Sequence, residues 1–296
     1  ALEVARANRT PVVFMKVGRS EVGAQAASSH TASLAGEDAV YDAVLRQHGA
    51  WRVRSTEEML DIAYACRPRI YPAGKRLGLV TISGGAGVLM ADAAEDMGLD
   101  VAPMPEDAQA ELKAILPFAA PRNPVDVTAQ FFNDLTLVPR FTKAMLDRGG
   151  YDALIGFWTS VGGSPVLGTP LLNHLTEMMM EYRDRLILHV MLTDAEMKRR
   201  YDEAGFPSFE DPTRAITAMA ALMFFGEAFA KGAPQTLRLP DFGPLPEGPL
   251  GEREAKVELA AAGLPMVEDR LAKTAQDAAE IAREFGPVAM KIASPD

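Results

Sequence analysis

The chain reads as an α/β protein built on doubly wound, largely parallel sheets, and three observations predict this. Strand-like apolar runs alternate with helix-period segments through three successive blocks. The connections between them are short and carry glycine or proline. With 296 residues, 48% of them hydrophobic, the chain is long enough for a sizeable core spread over about two domains.

In the first block, Leu2–Asn8 reads as a helix end and Pro11–Lys16 (PVVFMK) as a short buried strand. A polar segment, KVGRSEVGAQAASSHTASLAG, follows from Lys16 to Gly36. A helix is expected near Gly36–Gln47, ended by Gly49, and a second, amphipathic one over Glu57–Ala65. CRPRIYPAGKR then has linker chemistry, with two prolines and a glycine.

The second block runs from about Leu77 to Phe229. Leu77–Ile82 reads as a strand, SGGAG as a turn, and Val88–Met97 as a helix closed by Gly98. Leu99–Ala102 restarts a strand, Ala108–Leu116 is helical, and a proline-rich loop leads into VDVT. Ala153–Trp158 and Leu186–Leu192 are the later strands; Leu171–Tyr182, Ala195–Ala204 and Pro212–Phe229 are the helices that separate or follow them.

A third block begins after LPDFGPLPEGPLG, whose four prolines and three glycines prevent regular structure. Glu252–Ala262 and Thr274–Phe285 read as helices stopped by Gly263 and Gly286, with strands at Leu264–Val267 and Val288–Ile292. This block is too short for a complete domain of ordinary size, and the sequence shows no short repeat.

Composition narrows the partners. A net charge of −10 argues against nucleic acid or an anionic membrane. The single cysteine, Cys66, excludes an internal disulfide framework and fits a reducing compartment, read here as the cytoplasm. The longest apolar run, Ala218–Phe225, is far short of the roughly 18 residues of a membrane span. The first residues lack a secretory pattern, and both ends read as cut from a longer protein.

One histidine stands in an unusually bare setting. His30 is flanked by Ser28, Ser29, Thr31 and Ser33, with glycines at 23 and 36. An imidazole titrates near neutrality and can attack or carry a group, and small hydroxyls with free N–H groups suit a phosphate on the ring. The plainer reading of this spacing is a polar loop whose histidine only caps or is solvated.

The turn Ser83-Gly84-Gly85-Ala86-Gly87 lies between strand and helix, so its N–H groups can hold an anion. It equally suits a turn chosen for close packing. It does not match the dinucleotide fingerprint, because the third glycine position is Met90, which disfavours an oxidoreductase reading. His48 reads as a helix C-terminal residue, His174 has no metal partner at helical spacing, and His189 in LILHVML reads as a hydrogen-bonded core residue. No metal site is expected, and no G-x-S-x-G elbow is present. Trp158-Thr159-Ser160 falls at a strand's carboxyl end, where open sheets bind ligands. Asn123-Pro124-Val125-Asp126 suits a loop oriented by Asx hydrogen bonds. Lys291, within VAMKIA, is either a snorkelling strand residue or a phosphate ligand.

At this point PVVFMKVGRSEVGAQAASSHTASLAGEDAVYDA resembles the NDP-forming acyl-CoA synthetase family, which includes ADP-forming acetate–CoA ligases and is related to succinyl-CoA synthetase. TISGGAGVLMADAAEDMGL and NPVDVT resemble that family's second flavodoxin-like domain, and the stretch from Gly251 to Asp296 resembles the start of its ATP-grasp domain. The likeness covers essentially the whole chain. It implies residues 1–70 as the C-terminal part of a first flavodoxin-like domain, 75–232 as a second, and 245–296 as the beginning of an ATP-grasp domain.

The resemblance also implies an activity: acyl-CoA, ADP and phosphate interconvert with carboxylic acid, CoA and ATP through an acyl phosphate and a phosphohistidine. His30 matches the phosphorylated histidine. Ser29, Thr31 and the Ser83–Gly87 turn would hold the phosphoryl oxygens, and Lys291 matches an ATP-contacting lysine. ATP or ADP, Mg²⁺ and CoA are the implied small molecules, and a homo-oligomer or subunit assembly the implied state. Ala32 departs from the family, which has glycine there, and its methyl crowds a phosphate. The CoA-binding domain, the histidine's acidic partner and the rest of the ATP-grasp fold are not in the chain, so these residues alone are expected to be catalytically incomplete. A second reading is a ligand-sensing synthetase-like module, as found fused to protein lysine acetyltransferases.

Overall fold

The computed structural model describes residues 1–31, 37–232, 248 and 250–293, and of residues 27–31 only the backbone. The chain divides into two units, Ala1–Pro234 and Gln235–Asp296.

The first unit opens with α1 (Leu2–Ala7), β1 (Val12–Met15), α2 (Glu21–Thr31), α3 (Asp38–Gln47), β2 (Ala50–Val53) and α4 (Thr56–Ala65). Strands β1 and β2 run parallel, with Val12 opposite Ala50 and Met15 opposite Val53. Sequence reading passes over β2 because AWRV is short and Arg52 breaks its apolar run. That guanidinium turns aside to donate to both carboxylate oxygens of Asp38, at 2.9 and 2.6 Å. Ser55 caps α4 by accepting from the Glu58 N–H at 3.1 Å, satisfying one of the helix's orphan donors.

The unit continues with β3 (Leu77–Thr81), α5 (Gly84–Asp96), α6 (Glu106–Ile115), β4 (Val125–Asp126), a 3-10 turn at Ala129–Phe132, α7 (Leu137–Arg148) and β5 (Ala153–Thr159). It ends with α8 (Gly168–Met179), β6 (Leu186–Met191), α9 (Ala195–Glu203), β7 (Ser208–Phe209) and α10 (Pro212–Lys231). The five strands form one parallel sheet in the order β4-β3-β5-β6-β7, the flavodoxin-like arrangement. Its winding reverses between β3 and β5. Every residue of β3 is buried, as a strand covered on both faces requires.

On one face pack α6 to α9, through Leu112, Phe141, Met145, Leu171, Leu175 and Tyr201. On the other lie α5 and α10, through Met90, Ala94, Ile216, Met219 and Phe225, joined by Ile62 and Ala65 of α4. Helix α10 is apolar on both sides because the sheet covers one and α4 the other. Asp211 caps it, accepting from the N–H groups of Thr213 and Arg214 at 2.8 and 3.0 Å, with Pro212 in the first turn, where no N–H is needed. Arg214 then forks onto Asp61 of α4 at 2.7 and 2.6 Å. A second tie comes from Tyr64 of α4, whose hydroxyl donates to Asp202 and accepts from Lys198 Nζ at 2.9 Å and the Ser208 N–H at 2.8 Å.

The edge of β3 is closed by a side chain. Asn123, 6% exposed, accepts the Leu79 N–H at 2.9 Å and donates to the carbonyls of Leu77 and Ala102 at 3.1 and 2.9 Å. Its carboxamide thus does for β3 what a neighbouring strand's peptide does one step further along, where Val80 pairs with Val125. The Asn123–Pro124 peptide bond is cis.

Several expectations are corrected. The helix expected from Val88 begins at Gly84, so SGGAG is the helix's first turn rather than a separate one. Leu99–Ala102 supplies a single bridge, Asp100 to Arg76, and no strand. In the second unit α11 (Glu252–Ala261) and α12 (Ala275–Phe285) form, but Leu264–Val267 and Val288–Ile292 are not strands. No strand pairs with either among the described residues, and apolar content without a ladder does not fix extended backbone. Helix α7 has no counterpart in the sequence reading. Pro139 sits in the first turn, where its missing N–H is no loss.

Asn123→Ala strands the Leu79 N–H and two carbonyls in a dry setting. Urea denaturation is expected to show a loss of roughly 2–4 kcal/mol.

Candidate functional site

The carboxyl edge of the sheet between β3 and β5 is where an open α/β fold of this strand order holds a ligand. Thr81, the last residue of β3, lies opposite Phe157 of β5 and Asp126 of β4. Its hydroxyl accepts the Ser83 N–H and donates to the Ser83 carbonyl, both at 2.9 Å, which folds the chain tightly into α5. Gly87 N–H already bonds to the Ser83 carbonyl at 3.1 Å. The N–H groups of Gly84, Gly85 and Ala86 precede the first intrahelical donor, the Gly87 N–H, and point along the axis out of this edge.

The glycines here have different causes. A Cβ at Gly87 would lie 3.1 Å from Pro124 Cβ and 3.2 Å from Thr81 Cγ2, so close packing explains it. At Gly84 it would lie 3.3 Å from Asp126 Oδ2. At Gly85 it would meet nothing within 4 Å, which leaves open space over the helix end. Asp126 is half-buried beside that end, and its Oδ1 accepts the Thr128 N–H at 2.7 Å, the Asx turn expected from NPVD. Its negative charge offsets part of the helix's positive end.

Strand β5 leaves the sheet through a bulge: Phe157 pairs with Val190, Thr159 with Met191, and Trp158 falls between. Thr159 has φ +50°, a conformation that β-branched residues rarely adopt, and Ser160 beyond it is exposed. Trp158 itself is not at the edge. Its indole is fully buried and donates to His189 Nδ1 at 2.9 Å. His189 is the hydrogen-bonded core residue its neighbours predict, and burial pushes its pKa down to about 3, which keeps the ring neutral.

Of the residues singled out in the sequence, the structure brings together Ser83, Gly84, Gly85, Ala86 and Gly87 on the first turn of α5. Ser29, His30 and Thr31 stand on the last turn of helix α2 rather than in a loop. Their side chains, and the whole of Ala32, lie outside the described residues. Ser20 precedes this helix, and its Oγ accepts the Gly23 N–H at 3.1 Å. Lys291, in the second unit, is exposed and off any strand, and donates to Glu252 at 3.1 and 3.2 Å. The Lys256 ammonium, followed by Lys291, holds the Glu252 carboxyl below its usual range. His48 sits at the C-cap of α3 and His174 within α8. No group of three or more His, Cys, Asp or Glu side chains among the described residues is placed to hold a metal ion.

Three known domain families match the chain in order: a succinyl-CoA ligase like flavodoxin domain over residues 1–66, a ligase-CoA domain over 77–207 and an ATP-grasp domain over 246–296. The chain is 30% identical to the ADP-forming 4-hydroxybutyrate–CoA ligase of Nitrosopumilus maritimus, covering 97% of this chain and 43% of that protein. It is 32% identical to the alpha subunit of the ADP-forming acetate–CoA ligase I of Pyrococcus furiosus, covering 78% of this chain and 50% of that one. Among solved structures, the dinucleotide-forming acetyl-coenzyme A synthetase 1 of Candidatus Korarchaeum cryptofilum, in complex with phosphate and ADP, superposes with a TM-score of 0.65 at 29% identity, covering 77% of this chain and 50% of that one. The chain thus spans about half the length of the curated relatives it matches.

Unfolding exposes His189 to water, where it titrates near 6.5, while the folded ring stays neutral down to about pH 3. Between these values the unfolded chain binds more protons, so the ring's contribution is complete above about pH 6.5 and is lost as pH falls towards 3. Denaturation at stepped pH is expected to show the wild type losing up to about 1.4 kcal/mol more per pH unit in this window than His189→Asn.

Proposed function

The chain belongs to the NDP-forming acyl-CoA synthetase family, and we propose that the protein containing it interconverts acyl-CoA, ADP and phosphate with carboxylic acid, CoA and ATP, using His30 as phosphoryl carrier. The observation that carries this reading is the order of matched domains, which puts His30 in the first and the Gly84 helix end in the second. A neighbour of the same fold that holds phosphate and ADP supports it.

In this reaction phosphate displaces CoA from the acyl carbon to give an acyl phosphate and free thiol. A neutral ring nitrogen of His30 then attacks the phosphorus, and the bond to the carboxylate oxygen breaks as the acid leaves. A terminal oxygen of ADP attacks in turn, the phosphorus–nitrogen bond breaks, and ATP forms with the histidine regenerated. There is little covalent chemistry for the protein beyond the histidine, so donors placed on the moving phosphoryl group do most of the work. Ser29 and Thr31 with the N–H groups of Gly84, Gly85 and Ala86 are those donors, Ser83 shaping the turn and Gly87 its packing. The Lys291 ammonium, held among the described residues by the exposed Glu252 carboxylate, exchanges it for nucleotide phosphate.

Residues 1–70, 75–232 and 245–296 are the corresponding domain parts. Mg²⁺ accompanies the nucleotide in this reading, as its phosphates ligate the ion. No helix among the described residues is long and apolar enough to cross a membrane. A cytoplasmic enzyme acting on a small acid, CoA and a nucleotide, assembled from copies or subunits, fits the charge and the single thiol. The sensor reading has no counterpart among the relatives described above, which are named as ligases or synthetases.

Incubating the full-length parent with ATP and Mg²⁺ is expected to leave acid-labile, base-stable phosphate on His30, absent from His30→Ala. A parent that turns over without it overturns the reading. Asp126→Asn keeps an oxygen for the Thr128 N–H while removing the charge beside α5. Calorimetric titration is expected to show phosphate binding tightened by roughly 3- to 10-fold.

A further inference from the structure

The bond between Trp158 and His189 is made at the expense of another. With Nδ1 accepting from the indole, the neutral ring carries its proton on Nε2, and Nε2 is buried without a partner among the described residues. The surrounding LILHVML strand is otherwise apolar, and an aliphatic side chain at 189 would remove this orphan only by leaving the buried Trp158 N–H without its acceptor. What the imidazole secures lies across the sheet. The indole stands over Gly156, where a Cβ would come within 2.4 Å of it, and the edge of the Phe206 ring closes on the imidazole at 5.2 Å. Fixed in this slot, Trp158 is the extra residue of the bulge. The backbone beyond it is then tied to the end of β6, as the Thr159 carbonyl accepts the Leu192 N–H at 2.8 Å, and closed into a turn, as the Trp158 carbonyl accepts the Val161 N–H at 3.1 Å. A strained φ at Thr159 persists only where its surroundings over-determine it, and this slot supplies that determination.

We propose that Trp158 and His189 are positioning residues: their buried hydrogen bond sets the β5 bulge, and through it the place of Thr159 and Ser160 at the carboxyl edge beside the first turn of α5, where phosphate is held. The proposal rests on the reading of that edge as the phosphate site. Neither side chain reaches the edge itself, since both are fully buried beneath it.

The test uses the intact parent enzyme, assayed from acyl-CoA, ADP and inorganic phosphate. Trp158→Phe and His189→Leu remove the bond, whereas His189→Asn offers an amide oxygen where Nδ1 stood. Loss of the bond is expected to raise KM for phosphate about tenfold and leave KM for ADP within about twofold, with His189→Asn within about threefold of wild type for both. Gly85→Asp, which puts a carboxylate into the open space over α5, probes the edge independently. If Gly85→Asp raises the phosphate KM while Trp158→Phe and His189→Leu do not, the positioning role is wrong and the site reading stands. If Gly85→Asp leaves it unchanged, both fall. A His189→Asn enzyme that behaves like Trp158→Phe overturns the proposal even if His189→Leu does not fold.

Discussion

The carboxamide of Asn123 is the constraint on which the edge of this sheet depends. By pairing with the backbone at Leu77, Leu79 and Ala102 it completes β3 where no strand lies alongside. It also fixes the chain's entry into β4, so that Pro124 packs where Gly87 has no side chain and Asp126 arrives beside Gly84. The first turn of α5 is therefore shaped from two directions, by Thr81 from the strand before it and by the Asn123 segment from the side. A backbone so held presents its N–H groups without the reorganisation that a free loop would need on meeting an anion.

Electrostatics at this edge are balanced rather than strongly positive. The helix end carries a partial positive charge, and Asp126 sets a full negative one next to it, moderated by its bond to the Thr128 N–H. A group that must receive a phosphoryl and then give it up is poorly served by a site that binds it too tightly.

Much of the fold was legible in the residues. Continuous apolar runs such as LGLVT and LILHVM announced strands of a largely parallel sheet, and the helix of α10 was legible over Pro212–Phe229, though not its cover on both faces. The small-residue turn after β3 was legible as the link from strand to helix, although its helix starts at the first glycine. What was not legible depends on partners distant in sequence. Trp158 read as an edge residue because a bulge cannot be seen in a strand pattern, and its partner His189 lies 31 residues on. Asp126 had no visible reason to lie beside Gly84 until the sheet placed them together. Extended segments at 264–267 and 288–292 had the right residue types, but nothing in a local pattern supplies a strand to pair with.

Helix α10 follows the last residue of the second matched domain, yet it serves both. Phe224 meets Trp51 of β2 edge-on at 5.4 Å, Ala228 occupies the room that Gly49 leaves, and the carbonyl of Pro72 rests on Gly226. The two α/β blocks are consequently not interchangeable cassettes. Grafting the second onto a relative, or recombining the pair at the linker, would transfer a shared wall shaped to its original neighbour.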